Sequence, residues 1–466
     1  MTEARKAIGF LKHKQDWILA FLILVLFSFF RFYQLDKRLI FDWDQERDAF
    51  VVKEILREGK MTLVGPRVLG PKGFFLGPYF SYLLVPFYFL TNLHPKALVF
   101  FIATYNLAFF AFSFSVLKKF VSSQIALLFL LFWALNAALV NIDQIAWNVL
   151  FIPLVVVLNW GLLFYKKDGS WLKWLTIGVL VGAGINFHFQ LVFLVIFNFL
   201  FILLFSRKGV WKRFLLFLMG MVLTFLPLMI FDLRHKFLNL KLLFSFLSER
   251  LGTNDYLAWW PVWENVSRGF TNDKIISAPF LLYFSVLVMG SWWWKREKKS
   301  SFKHFLFAFL ALWIIFPFGF SVFGQRPSEY YFIFLFPFII LILAYWAQAA
   351  IKKIAISFSP CLIFLIVILL LLNFKTLQKG LGFNLLGLFY KDKVAQRVAE
   401  IGFRTKINVS FSVPLGLDTG YRYLLDLYQV KQSNNPHDIL LQVVIPPTKS
   451  DQVFGGIGLR VPNSIE

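Results

Sequence analysis

Long apolar runs separated by short basic clusters dominate this chain, and the runs show neither helical amphipathicity nor two-residue alternation. Stretches such as 17–30 and 361–372 are apolar on every helical face. Read as spans of roughly 17–25 residues, the runs fall at 16–34, 97–117, 123–141, 148–165, 172–187, 190–205, 214–231, 277–294, 303–322, 332–350 and 356–373. This predicts an all-α polytopic membrane protein with about eleven transmembrane helices. A further run, 78–93, is short, carries Pro86 and is bounded by Gly77-Pro78 and by Thr91-Asn92-Leu93-His94-Pro95. If it spanned the membrane, Lys118-Lys119, Lys166-Lys167, Arg207-Lys208, the cluster from Lys295 to Lys299 and Lys352-Lys353 would all lie outside. Laid along the outer interface as a juxtamembrane helix, it puts every cluster inside. The expected orientation is therefore amino end inside and carboxyl end outside, in the cytoplasmic membrane. The outer segments are then 35–96, 142–147, the turn around His188, 232–276, 323–331 and 374–466.

Composition fits a lipid-solvated chain: 59% hydrophobic, 20% aromatic and 16% charged residues, with a mean hydropathy of +0.68. The net charge of +23 would suggest nucleic acid in a soluble protein. Here it resides in the clusters between spans, so the expected partner is the bilayer and no nucleic acid is implied. Cys361 stands alone in an apolar run, which excludes an intrachain disulfide. The first run follows Arg5, Lys6, Lys12, His13 and Lys14 and continues into Arg31-Phe32-Tyr33-Gln34 without a small-residue cleavage site. It reads as a retained span rather than a removed signal peptide.

Beyond Phe374 the composition changes. Helices are predicted at 391–402 and 421–428, strands at 406–413, 438–445 and 453–461, and turns at Pro446-Pro447 and Asn434-Asn435-Pro436. The chain thus divides into a transmembrane part, 1–373, and a small extracytoplasmic α/β domain, 374–466.

Polar chemistry is concentrated directly after the first span, in Ile40-Phe41-Asp42-Trp43-Asp44-Gln45-Glu46-Arg47-Asp48-Ala49-Phe50. If 41–58 is helical, Asp44, Arg47 and Asp48 share a face at i, i+3 and i+4, and Glu46 points away. A carboxylate there, partly desolvated at the interface, suits a general base, with Asp44 the first choice. A solvated helix whose acids pair with Arg47 and Lys53 fits the same residues. The segments Leu63-Val64-Gly65-Pro66-Arg67 and Gly70-Pro71-Lys72-Gly73-Phe74-Phe75-Leu76-Gly77-Pro78-Tyr79 force turns that can cap a cavity. Asp143, at a span end, can orient an acceptor or support Asp44. His188 and Gln190 can hydrogen-bond a sugar or join helices as a satisfied pair. Trp259, Trp260 and Trp263 fit an interfacial belt. There is no Walker loop, dinucleotide fingerprint or His-Glu-x-x-His. Asp44, Asp48 and Asp143 are able to share a divalent cation, though nothing in the sequence requires one.

The order of these features resembles the GT-C glycosyltransferases, specifically bacterial relatives of the protein mannosyltransferase and aminoarabinose transferase families. It comprises a basic amino end, one span, an acidic outer helix, a juxtamembrane helix opening on Gly77-Pro78-Tyr79, many spans and a distal tail. The layout covers most of residues 10–350, and the motifs lie at 40–95 and more loosely at 225–240 and 325–337. In those families the first outer loop carries an Asp, usually followed by Glu, that acts as catalytic base. The matching pair here is Asp44-Gln45, with Glu46 one place later. The resemblance implies inverting transfer of a sugar from a polyprenyl-phosphate carrier to a glycan, lipid or protein acceptor. Such a donor's phosphate needs fixed positive charge at a membrane-bounded site. Arg234, in Phe231-Asp232-Leu233-Arg234-His235, and Arg326, in Gly324-Gln325-Arg326-Pro327, are the outer arginines expected to supply it, although Asp232 and Arg234 also suit a mutual pair. Arg47 and Tyr79 complete the substrate-binding candidates.

Two other classes compete. A transporter or flippase for a lipid-linked or polysaccharide substrate calls for internal repeats, paired broken helices or mid-membrane charges. A ligase or polymerase using a diphosphate-linked donor would favour a late arginine-rich outer loop over an early acidic one.

Overall fold

The structure, a computed structural model, describes residues 2–68, 73–165, 170–205, 209–251, 259–271, 279–321, 329–354, 357–403, 406–433, 435 and 438–462. Each expected span falls on a helix. In chain order these are Thr2–Phe32, Ala97–Phe120, Ser123–Leu135 with Ala137–Ile142, Ile152–Leu163, Trp171–Phe187, Val192–Phe205, Val210–Thr224 with Leu226–Arg234, Pro279–Arg296, Ser300–Ser321, Phe336–Ile354 and Phe358–Gly380. Among the described residues, four helices are by themselves long and apolar enough to cross a membrane: Lys14–Lys37, Ala97–Phe120, Tyr330–Ile354 and Phe358–Gly380. The pair Val210–Thr224 and Leu226–Arg234, bent by 57°, makes a fifth if counted as one span.

Polar caps and prolines shorten several of the others. Asn136 interrupts one run: its Oδ1 accepts Leu139 N–H at 3.1 Å, as an N-cap does, and its Nδ2 donates to Phe270 O at 2.8 Å. His188 interrupts another, its Nδ1 accepting Gln190 N–H at 3.3 Å. Pro227, in the first turn of Leu226–Arg234, lacks an N–H and so leaves a carbonyl of the preceding limb without its helical donor. Thr224 O lies at this bend and accepts Tyr79 Oη–H at 2.5 Å and Asn186 Nδ2–H at 3.3 Å.

The run 78–93 forms a helix of 12 residues, Tyr79–Leu90. At about 1.5 Å per residue it is roughly 18 Å long, short of a hydrocarbon core of about 30 Å. Two helices not expected from the sequence, Leu238–Leu251 and Trp259–Thr271, lie within the segment 232–276. The second buries Trp263, whose ring centroid is 4.4 Å from that of Trp313 and 4.7 Å from that of Tyr283. Trp263 is therefore a core residue and not part of an interfacial belt; the side chains of Trp259 and Trp260 lie outside the described set.

Helices Trp171–Phe187 and Val210–Thr224 touch through glycine. A Cβ on Gly178 would sit 2.0 Å from Phe217 O, and one on Gly220 2.1 Å from Leu175 O. Small residues allow this approach where lipid gives helices little hydrophobic reason to associate. One buried apolar cluster runs from Leu19 in the first helix to Leu459 near the carboxyl end.

Helix Phe358–Gly380 passes straight through the expected boundary at 373/374. Beyond it come helix Leu388–Ile401, strand β1 (Ile407–Ser412), helix Tyr421–Leu427, and strands β2 (Ile439–Val444), β3 (Gln452–Phe454) and β4 (Ile457–Arg460). The sheet order is β1-β2-β4-β3: β1 and β2 are parallel, and β4 is antiparallel to both of its neighbours. The single strand expected at 453–461 is a hairpin instead, turning at Gly455, whose φ of 65° favours glycine. Of the turn Asn434-Asn435-Pro436, only Asn435 lies within the described residues.

Candidate active site

The acidic helix spans Trp43–Glu58 and is capped by Asp42, whose N–H donates to Gln45 Oε1 at 3.1 Å. Gln45 Nε2 in turn donates to Ala146 O at 3.1 Å, and the residue is buried. An amide can both accept and donate here, whereas an ionised carboxylate would face the Ala146 carbonyl as a second acceptor. On the next turn Arg47 bridges two acids. Its Nη1 donates to Asp44 Oδ1 at 2.8 Å, and its Nη2 and Nε lie 2.8 and 2.9 Å from Asp48 Oδ1. The two carboxyl groups differ sharply in exposure, 51% for the Asp44 side chain and 3% for that of Asp48. Burial pushes the Asp48 carboxyl up to about 6, against the opposing pull of Arg47.

Asp44, Arg47 and Trp43 face a cavity of about 730 Å³. Its roof is a short hairpin, in which Gly65 N–H donates to Leu76 O at 2.7 Å, Leu76 N–H to Pro66 O at 2.9 Å and Val68 N–H to Phe74 O at 2.9 Å. A Cβ on Gly65 would lie 2.1 Å from Gly77 O, so only glycine permits this closure. The hairpin delivers Arg67 to the cavity, its guanidinium carbon 4.3 Å from the Phe75 ring centre. Other walls come from breaks in the helices: Trp147, Asn148 and Val149 from one, His188 from a second, Tyr330 and Tyr331 from a third. The aromatic rings form a continuous surface, Trp147 to Tyr330 at 5.0 Å, Tyr330 to Tyr331 at 4.7 Å and His188 to Tyr331 at 5.2 Å. Burial lowers the His188 imidazole to about 3, so it is neutral; with Nδ1 accepting Gln190 N–H, its Nε2–H remains as donor.

Neither a protein-family model nor a curated protein sequence matches this chain. Solved structures do match. ArnT from Cupriavidus metallidurans bound to undecaprenyl phosphate superposes with a TM-score of 0.60 at 12% identity, over 96% of this chain and 98% of that one. The apo state of the same protein gives 0.60 at 12% identity, over 95% and 94%. The oligosaccharyltransferase of Archaeoglobus fulgidus, in complex with Zn and sulfate, gives 0.50 at 12% identity, over 90% of this chain and 62% of that one. The chain shares the fold of these structures.

Within this fold the expected site residues divide. Asp44, Arg47 and His188 line the cavity, and Asp48 lies beneath them on the Arg47 guanidinium. Gln190 is buried and joins elements: its Nε2 donates to Tyr330 O at 3.0 Å and its Oε1 accepts Phe334 N–H at 3.3 Å. Tyr79 is spent on Thr224 O and does not line the cavity. Arg234 is exposed away from it, and Asp232 Oδ1 accepts Asn239 N–H at 2.6 Å rather than serving that arginine. Arg326 lies outside the described residues, as do Gly70, Pro71 and Lys72.

Asp143 lies apart from Asp44. It is 2% exposed, and its Oδ2 accepts Arg31 Nη2 at 2.6 Å, Arg31 Nε at 2.9 Å and Trp133 Nε1 at 3.0 Å. It therefore anchors the loop that carries Trp147 and Asn148 and is not available to an acceptor. A cation shared by Asp44, Asp48 and Asp143 does not fit this arrangement. Among the described residues, no group of three or more His, Cys, Asp or Glu is placed to hold a metal ion.

Arg67, Trp43, Trp147, Asn148, Tyr330 and Tyr331 were not among the site residues expected from the sequence. Arg67 carried the signal that singled out Arg234: an outer arginine outside the basic clusters, here in a Gly-Pro turn.

Proposed function

We propose that this protein is an inverting membrane glycosyltransferase that takes a sugar from a polyprenyl-phosphate donor at the outer face of the cytoplasmic membrane, with Asp44 as general base. The observation that carries this reading is the placement of an exposed carboxylate and two guanidinium groups, Arg47 and Arg67, on one cavity in a fold shared with a protein bound to undecaprenyl phosphate. In the reaction, Asp44 takes the proton from an acceptor hydroxyl or amine as that group attacks the anomeric carbon. The bond to the phosphate breaks, and Arg67 and Arg47 offset the charge left on the lipid phosphate. The aromatic wall from Trp147 to Tyr331 offers stacking faces to a sugar ring, and His188 Nε2–H a donor to its hydroxyls. This division of labour supports a transferase over a transporter, because base and leaving-group cations converge on one cavity.

The test is comparative mass spectrometry of polyprenyl-linked sugars and envelope glycans in cells with and without the protein. Loss of one glycan modification with accumulation of its polyprenyl-phosphate sugar is expected. Unchanged profiles of both would exclude the reading.

A further inference from the structure

We infer that Lys391 is a positioning residue that ties the carboxyl-terminal segment to the start of the acidic helix and so sets Asp44 over the cavity; this rests on the reading of Asp44 as base. Lys391, on helix Leu388–Ile401, is fully buried, a costly place for an ammonium group unless every proton is matched. Its Nζ meets three oxygens: Phe41 O at 3.0 Å, Asp42 Oδ1 at 2.5 Å and Thr419 O at 2.8 Å. Two of these belong to the residues that open the acidic helix, and Asp42 is its N-cap.

The positive charge stands at the helix end whose dipole disfavours it, so helix electrostatics do not account for its position. The bonds to Phe41, Asp42 and Thr419 do. Next to it, Gly420 has φ 89°, and a Cβ there would fall 2.2 Å from Phe41 O, so the segment presses directly on the backbone before the helix. Glu46, on the face turned from the cavity, accepts Tyr423 N–H at 2.9 Å through Oε1. The Tyr423 ring stands edge-on to Phe41 at 6.0 Å and to Phe50 at 5.1 Å, and Lys53 pairs with Asp426 one turn further along. One side of the helix is thus held by the carboxyl-terminal segment along its length while the other presents Asp44. A displacement of the base by about 1 Å is enough to cost on the order of 100-fold in rate.

The experiment measures kcat and donor KM for purified protein in nanodiscs with undecaprenyl-phosphate monosaccharides. Hydrogen exchange of the amides at 43–50 is followed in parallel. Lys391→Met is expected to lower kcat at least about tenfold, leave donor KM within about twofold and speed exchange at 43–50. Arg460→Ala, which breaks the Arg460–Asp451 pair inside the sheet, is expected to leave kcat unchanged. Equal loss in both variants, or an unchanged kcat in folded Lys391→Met, overturns the inference. Where Lys391→Met yields no folded protein, Glu46→Ala decides in its place, a tenfold fall supporting the clamp and an unchanged kcat refuting it. Asp44→Asn separates the two levels: if it stays active the base assignment itself fails, and if it is inactive while Lys391→Met is not, only the clamp fails.

Discussion

Asp44 and Asp48 share one arginine but not one environment, and that difference gives each a separate expected phenotype. Above about pH 6 Asp48 is ionised and holds the Arg47 guanidinium; below it Asp48 is protonated, and Arg47 is left to bond Asp44 alone, occupying the carboxylate that must take the acceptor's proton. Turnover is therefore expected to rise as pH increases through about 6, and Asp48→Asn to remove that rise, as a pH–rate profile would reveal. A profile unchanged by Asp48→Asn would sever the two groups. Asp143→Asn should behave differently, since it leaves Arg31 buried without its counter-charge. Breaking a buried pair costs about 3–5 kcal/mol, so loss of folded protein is expected rather than a selective loss of kcat, measurable by thermal melting in detergent. The Asp44–Arg47–Asp48 cluster was legible because its members lie within one helical turn. The true partner of Asp143 was not, because Arg31 is 112 residues away and no local pattern links them.

Apolar runs located the helices, but the breaks inside them are what build the cavity, and these were legible only in part. His188 stood out as a polar residue between apolar runs, whereas Asn136 and Pro227 each sit within a run that hydropathy reads as continuous. Trp147, Asn148, Tyr330 and Tyr331 converge only through tertiary packing, which periodicity does not encode. The close approach of Trp171–Phe187 and Val210–Thr224 yields a sharp expectation. Gly220→Val has no room beside Leu175 O, and overpacking of this kind costs about 1–3 kcal/mol. A lower melting temperature and yield are expected for Gly220→Val; wild-type values for both would mean that the helices can separate freely. Tyr79→Phe, which loses one bond to Thr224 O, should cost only about 1 kcal/mol and leave donor KM unchanged.

For the whole molecule, hydropathy revealed the membrane class and where the apolar helices lie, while the way the carboxyl-terminal segment grips the acidic helix after the first apolar run was hidden. Lys391 reads in sequence as one polar position of an amphipathic helix; only its distance of 349 residues from Asp42, closed in space, reveals its use. The expected orientation rests on keeping Tyr79–Leu90 out of the count of spans. In a Cys361→Ser background, a cysteine at exposed Lys119 is expected to react with membrane-impermeant maleimide only from the cytoplasmic side, and labelling from outside would reverse the orientation. On the proposed function, Asp44 drives sugar transfer from a polyprenyl phosphate. The most direct measurement of this is single-turnover conversion of undecaprenyl-phosphate monosaccharides by wild type and Asp44→Asn in nanodiscs, followed by mass spectrometry of the released undecaprenyl phosphate. Release by wild type and a fall of at least about 1000-fold in the folded variant are expected; equal release by both would contradict the claim.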